Sequence, residues 1–383
     1  MEEEEEMHFI VNKAPFFNAL QKIVGVIPSK TSIPILGNIL LDLSDNKLKI
    51  TGTDLEISIS TEINIESEEE GTITVPAKLL VDIVRELPDV PIEVVSDSRS
   101  NITLKTEKGV YRLVGETKDE FPNIIIEENE GEITLNSKKL SRMINKTIFA
   151  VTTDELRTSL MGVYFEILEG ELRFVATDGH RLSKIVDKAF HSDVYQKSMI
   201  VPTKALNLIL KNIESISNKE GEIISITVGE NHATFHWSGT SIYTKLIEGK
   251  YPKYENVIPQ DNDVSLLVER DSLFSSVRRV SIFSNSITHQ VRFLISDNQM
   301  VIRSEDVEFG GEASEVLAVE FSGESLEIGY NAHYLLDILK NVDTKEAVLL
   351  LKSSKSAALI YPTEQHEGEE LQMLLMPIRL SDD

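Results

Sequence analysis

At 383 residues the chain exceeds what one hydrophobic core usually serves, so two or three domains are expected. It contains no cysteine, which excludes disulfides, thiolate metal sites, iron–sulfur clusters and cysteine nucleophiles together. No apolar run approaches the roughly 18 residues that span a bilayer, so a soluble, cytoplasmic protein with no membrane partner is expected.

The formal charge of −25 speaks against nucleic acid on average, because affinity for DNA comes largely from Lys and Arg neutralising phosphates. It says nothing of how the charge is distributed. The opening run Met1-Glu2-Glu3-Glu4-Glu5-Glu6-Met7 reads as a disordered extension or a cloning remnant, with the first domain beginning near Met7.

In chain order, Val11-Asn12-Lys13-Ala14 opens a predicted helix over 13–23, and alternating strands follow at Lys47 to Ile50 and Ile57 to Ile63. Val75-Pro76-Ala77-Lys78 opens a helix over 78–87 with Leu79, Ile83 and Leu87 on one face; Pro76 stands where a missing N–H costs nothing. Phe121-Pro122-Asn123 closes this third of the chain. The pattern then begins again. Leu135-Asn136-Ser137-Lys138 opens a helix over 138–148, the strand Leu172 to Asp178 repeats Leu48 to Asp54, and Val201-Pro202-Thr203-Lys204 opens a helix over 204–214 with Leu206, Ile209, Leu210 and Ile213 on one face. A strand at His232 to Trp237 and the closing Tyr251-Pro252-Lys253 complete the second round. In the third, Val268-Glu269-Arg270-Asp271 opens a helix over 271–282, Met300 to Asp306 echoes the repeated strand more faintly, and Ile328-Gly329-Tyr330-Asn331 opens a helix over 331–343.

Equivalent segments lie about 124 to 133 residues apart. The expected architecture is therefore α+β: three tandem domains, at 7–128, 129–261 and 262–383, each with two helices backed by antiparallel sheets. The six predicted helices carry 13 basic and 6 acidic residues, the reverse of a chain with 38 basic and 63 acidic residues. The helix over 138–148 is the extreme case, with Lys138, Lys139, Arg142 and Lys146 and no acid. A single such helix would be read as a solvated face; six alike suggest a basic surface built by repetition. Helices packed about 9 Å apart and about 10 Å thick leave a hole of roughly 7 Å when six form a circle, and roughly 24 Å when twelve do. Duplex DNA, with grooves about 8 Å deep, passes only the larger. A pore for DNA would thus need two chains, closed head to tail.

Four motifs on this repeat, Pro34-Ile35-Leu36-Gly37-Asn38, Thr177-Asp178-Gly179-His180-Arg181-Leu182-Ser183, Tyr251-Pro252-Lys253-Tyr254 and Met376-Pro377-Ile378-Arg379-Leu380, closely resemble the bacterial DNA polymerase III beta subunit, the beta sliding clamp family. The resemblance runs from about Met7 to Leu380. It implies a ring-shaped, head-to-tail homodimer without catalytic activity or cofactor. The ring would encircle double-stranded DNA topologically, without reading sequence, and tether the DNA polymerase III catalytic subunit, the clamp loader and other proteins with a clamp-binding motif.

The same resemblance implies the site residues. A partner-peptide pocket would use Leu160, Thr177, Gly179, His180, Arg181 and Leu182 of the second domain, with Pro252 and Val257. From the third domain it would take Leu374, Met376, Pro377, Ile378 and Arg379, flanked by Asn331 and Tyr334. For DNA the resemblance adds Lys30 and Arg157 to the basic residues that the helix pattern itself offers, the four of the third helix with Lys204 and Lys211; Arg278 and Arg279 are further candidates on sequence position alone. The dimer contact would set Ile282 and Phe283 against Leu79, Leu80 and Val81 of the other copy. Asn256, Asp154 and the acidic stretch Thr363 to Glu370 depart from the family pattern.

Other readings are weaker. Asp178, His180 and Ser183 have the residue types of a hydrolase triad, but they lie within six residues and no nucleophile elbow occurs. His232 and His236 are four apart on a strand, where they are not a helical metal pair, and Lys250 lacks the rest of a phosphate loop. A protein-only scaffold of repeated domains is the remaining rival.

Overall fold

The computed structural model describes residues 5–123, 131–193, 196–214, 221–306 and 310–380. Six times a strand runs directly into a helix: Glu5–Asn12 into α1 (Lys13–Val24), Gly71–Pro76 into α2 (Ala77–Glu86), and Gly131–Asn136 into α3 (Ser137–Ile148). Lys197–Pro202 leads into α4 (Thr203–Glu214), Val264–Glu269 into α5 (Arg270–Val280), and Leu326–Asn331 into α6 (Ala332–Lys340). The local chemistry explains the abrupt change. Pro76 and Pro202 end their strands by withholding a ladder hydrogen bond. Asn331 keeps extended backbone angles while its side-chain oxygen accepts from the amides of His333 and Tyr334 at 2.9 and 3.3 Å, satisfying donors that the first turn leaves free.

The helices bury one face each, and α4 does so on the expected residues Leu206, Ile209, Leu210 and Ile213. Helix α2 departs from expectation. Its buried face is Ala77, Leu80, Val81 and Val84, whereas Leu79 is 49% exposed. Apolar side chains surround most of this helix, so the period fits more than one stripe, and packing against α1 selects the other. Helix α6 stops at Lys340, short of the expected 343, because the carbonyls that follow are claimed from outside the helix: Lys146 Nζ donates to the Asn341 carbonyl and Arg270 to that of Val342. The strand Glu5–Asn12 begins before Met7, pairing Glu5 with Asp97, so the final part of the opening Glu run belongs to a sheet. Residues 1–4 and the expected boundary near 129 lie outside the described residues.

Two compact units contain the chain, one from residues 1–141 and 204–246, the other from 142–203 and 247–383. In the first, a five-stranded sheet has Gly109–Val114 on one edge, and an eight-stranded sheet joins Thr240–Lys245 to Ile57–Asn64, with Ile242 opposite Ile59. In the second, a nine-stranded sheet joins Arg181–Asp187 to Glu369–Leu375, with Leu182 opposite Leu374, and a four-stranded sheet has Gly311–Ala318 on its edge. Pairing is antiparallel throughout these sheets. Strands distant in sequence are thus spliced into continuous sheets, which is why the compact units cut across the three repeats.

One repeat survives to the level of single hydrogen bonds. After the strand ending at Thr53, the Asp54 side chain accepts from the amides of Glu56 and Ile57, and Thr53 Oγ1 donates to the Ile57 carbonyl. After Thr177, Asp178 accepts from the amides of His180 and Arg181, and Thr177 Oγ1 donates to the Arg181 carbonyl. The residue after each Asp has positive φ, +79° at Leu55 and +88° at Gly179.

Candidate partner pocket and basic surface

The second unit contains a cavity of about 570 Å³. Its floor follows from strand register. Thr177 faces Leu182, Leu182 faces Leu374, and Leu374 faces Leu359, so one row of side chains crosses four strands. Leu182, Leu359 and Leu374 belong to a buried cluster with Val175, Tyr254, Ile258 and Ala357. Leu160, Pro252, Val257 and Met376 complete an apolar wall, with Met376 and Val257 40% and 55% exposed. Gly179 and Arg181 bring the second repeated turn into the same wall.

The expected pocket residues Leu160, Thr177, Gly179, Arg181, Leu182, Pro252, Val257, Leu374 and Met376 are thereby brought together. His180, Asn331, Tyr334, Pro377, Ile378 and Arg379 are not in this wall. His180 stacks on Tyr334 with ring centroids 5.8 Å apart, and the Arg181 guanidinium lies 4.8 Å over the same ring. Burial raises the Tyr334 phenol above its ordinary pKa. Asn331 is engaged in capping α6, and its amide donates to the Thr288 carbonyl. The last strand ends at Leu375, before Pro377, but the following residues are fastened: the Met376 amide donates to the His180 carbonyl, the Ile378 amide to the Gly329 carbonyl, and Leu380 is buried. Only Met376 and Arg379 are exposed there, so this segment is a fastened edge and not a free lip.

Sequence reasoning missed Lys253, Tyr254, Pro259, Asp261, Asn262, Lys352, Ser356 and Ala357, which also line the cavity. The segment 352–357 carries no motif; only its place before the strand Ala358–Pro362, beside Leu374, would have revealed it. Asn262 fastens this segment by donating to the carbonyls of Leu350 and Ala357, both at 2.9 Å. Tyr254 is anchored from below, bonded to Glu166 and 3.3 Å from Arg173. The stretch from Thr363 to Glu370 is ordered, with the Gln365 side chain bonding both the amide and the carbonyl of Leu371.

Among the expected DNA contacts, Lys30, Lys138, Lys204 and Lys211 are exposed in the first unit and Lys139 is partly so; Lys204 pairs with Asp54 of the first repeated turn. In the second unit three assignments change. Lys146 is buried, its Nζ bonded to the Asn341 carbonyl at 2.7 Å and to Asp343 at 2.5 Å. Arg142 reaches Asp343 at 2.6 Å and Glu369 at 2.7 Å. Burial depresses the Lys146 pKa; burial also works to raise that of Asp343, but its bonds to Lys146 and Arg142 outweigh it and leave the carboxyl below its usual range. This pair is structural, and Lys146 has no surface to offer a phosphate. Arg157 is folded back, donating to Asp154, to Thr152 and to the Asp178 carbonyl at 2.6 Å. Arg279 pairs with Glu315.

The expected dimer residues divide in the same way. Ile282 is 76% exposed and Phe283 42%, but Leu80 and Val81 are buried in the core and cannot form a contact surface; Leu79 alone of the three points outward. Ser183, of the rejected triad, is buried and its hydroxyl donates to the Lys146 carbonyl. Among the described residues no cluster of His, Asp or Glu is arranged to hold a metal ion, and no helix is long and apolar enough to cross a membrane.

Known proteins resemble the chain over nearly all of its length. The family models for the N-terminal, central and C-terminal domains of the DNA polymerase III beta subunit match residues 7–125, 134–253 and 255–379. Beta sliding clamps of Pseudomonas putida and Vibrio cholerae are each 32% identical, over 98% of this chain and all of theirs. The crystal structure of the sliding clamp from Pseudomonas aeruginosa bound to griselimycin superposes with a TM-score of 0.91 at 30% identity, and that from Bartonella birtlesii, also bound to griselimycin, with 0.92 at 32%; both cover 98% of this chain. The chain belongs to the DNA polymerase III beta subunit family, the beta sliding clamps, which are non-enzymatic processivity factors of DNA replication.

Proposed function

We propose that two copies of this chain close head to tail around duplex DNA in the cytoplasm and hold DNA polymerase III on its template through the cavity described above. The observation that carries this reading is the sixfold strand-to-helix step, which supplies six equivalent helices per chain and twelve per closed pair. The exposed Lys30, Lys138, Lys204 and Lys211, with the partly exposed Lys139, would meet phosphates without reading bases, so contact would be electrostatic and mobile.

Closure has support at two sheet edges. Gly109–Val114 leaves Val110 and Val114 59% and 72% exposed at an edge in the first unit. Gly311–Ala318 leaves Val316 61% exposed at an edge in the second, beside Ile282 and Phe283. Apolar side chains on unpaired edges invite strand pairing with another chain, and two different edges on one chain give the heterologous contact that a head-to-tail ring requires. In this reading the first-domain side of the contact is Val110 to Val114 with Leu79, in place of Leu80 and Val81. A clamp loader would open that contact, and other proteins with a clamp-binding motif would share the polymerase's cavity.

The test is topological. Once loaded, the protein should remain on nicked circular DNA and run off after the circle is cut. Equal retention on both substrates would favour a protein scaffold instead.

A further inference from the structure

We infer that Lys253 is a specificity residue of the cavity, selecting partner peptides that carry a carboxylate side chain next to their apolar anchors. The inference rests on the peptide-pocket reading and deepens it.

The four charged residues in the cavity wall are Arg181, Lys253, Asp261 and Lys352. Three are already compensated. Arg181 donates to Asp178 at 3.1 Å and to Asp337 at 2.8 Å. The charges behind it also balance, since Arg157 lies 2.8 Å from Asp154 and Lys340 3.3 Å from Asp337. Three cations therefore meet three carboxylates. Lys352 is paired with Asp261. Lys253 is exposed and has no ion-pair partner among the described residues. The nearest carboxylate along the chain, Glu255, is turned toward Arg173 at 2.9 Å, a cation it shares with Glu171 and Glu166.

The backbone that presents Lys253 is fixed on both sides. The Tyr254 amide donates to the Pro252 carbonyl at 2.7 Å, the Asn256 amide to the Lys253 carbonyl at 3.1 Å, and the Tyr254 ring is buried. An apolar cavity thus has at its rim one lysine without an ion-pair partner among the described residues, mounted on a rigid turn, in a protein whose net charge is −25. Long-range electrostatics repel an acidic peptide, so a local cation is what would admit one. An apolar peptide with an Asp or Glu beside its anchors gains an ion pair at the rim; its neutral counterpart gains nothing there. An exposed pair of this kind is worth a factor of about 2 to 5 in affinity, reduced by salt.

The test is calorimetric titration of the intact protein with two synthetic peptides containing Gln, Leu and Phe, identical except for Asp or Asn beside the apolar residues. The Asp peptide should bind about 2- to 5-fold more tightly at low salt. The preference should disappear in Lys253→Gln, reverse in Lys253→Glu, and shrink with added salt in the wild type. Equal binding of both peptides to the wild type, or an unchanged preference in Lys253→Glu, would overturn the inference and leave the pocket intact. Failure of either peptide to bind, or binding indifferent to Met376→Asp, would overturn the pocket reading and this inference with it.

Discussion

Leu55 and Gly179 occupy the same step of the same turn, each following an Asp that caps two amides, with φ of +79° and +88°. That backbone region suits glycine and costs a side chain roughly 1–2 kcal/mol. Gly179→Ala should therefore destabilise the second unit by about that amount, and its Cβ would also sit 3.1 Å from the Arg157 guanidinium. Leu55→Gly relieves the strain but frees the unfolded chain, so its effect on stability should be within about 0.5 kcal/mol of zero. Urea titration of both variants checks the contrast.

The basic residues of α3 should separate into two functions. Replacing Lys138 and Lys139 by Gln should weaken DNA binding and lower the slope of log K against log salt by up to about 2, with little change in melting. Lys146→Gln should leave the salt slope unchanged and cost about 1–2 kcal/mol of stability, because the Asn341 carbonyl loses its donor while Arg142 still pairs with Asp343. A salt slope that falls with Lys146 and not with Lys138 and Lys139 would reverse the assignment.

Asp343 gives a pH dependence with a definite sign. Its folded pKa is depressed, so its stabilisation is present above the ordinary carboxylate range and is lost as pH falls through about 4 and below. The difference in stability between the wild type and Asp343→Asn should be large at pH 7 and shrink toward pH 3. Chemical denaturation at both pH values tests this.

Ring closure and folding should respond to different residues. Ile282→Ala with Phe283→Ala should favour monomers by about 3 kcal/mol while leaving each unit folded, and Val110→Lys should act in the same direction. Leu80→Ala should cost about 2–5 kcal/mol of folding stability, since it empties a core position. Sedimentation at low protein concentration, read beside thermal melting, distinguishes the two outcomes.

Met376→Asp should weaken peptide binding at least tenfold and leave the dimer and its retention on circular DNA unchanged. Deleting residues from 376 onward is a poorer probe. It also removes the Ile378 bond to Gly329 and the burial of Leu380, so the second unit should melt earlier.

Much of the fold was legible because it is repeated. Three of the strand-to-helix steps have a local cause, Pro76, Pro202 and the Asn331 cap, and periodicity located the helices to within a few residues. What could not be read was anything settled by tertiary choice. The α2 pattern fits two stripes, and the sequence does not say which one α1 covers; the resemblance that set Leu80 at the dimer contact carries no information on its burial. Lys146 carries the same charge in sequence whether it meets a phosphate or Asp343. Part of the cavity wall was missed because Lys352, Ser356 and Ala357 reach it through strand pairing, not through a motif.

The seam between Arg181–Asp187 and Glu369–Leu375 bears on how such chains can be recombined. Seven residue pairs cross it, from Arg181 opposite Leu375 to Asp187 opposite Glu369. A chimaera that takes residues 262–383 from a relative therefore inherits one half of a ladder and must match the other half in register, because a slip of one residue would turn Leu374 away from Leu182 and invert the floor of the cavity. The thirds of this protein repeat as modules but cannot be exchanged as beads on a string; the unit that must be inherited together is the shared sheet.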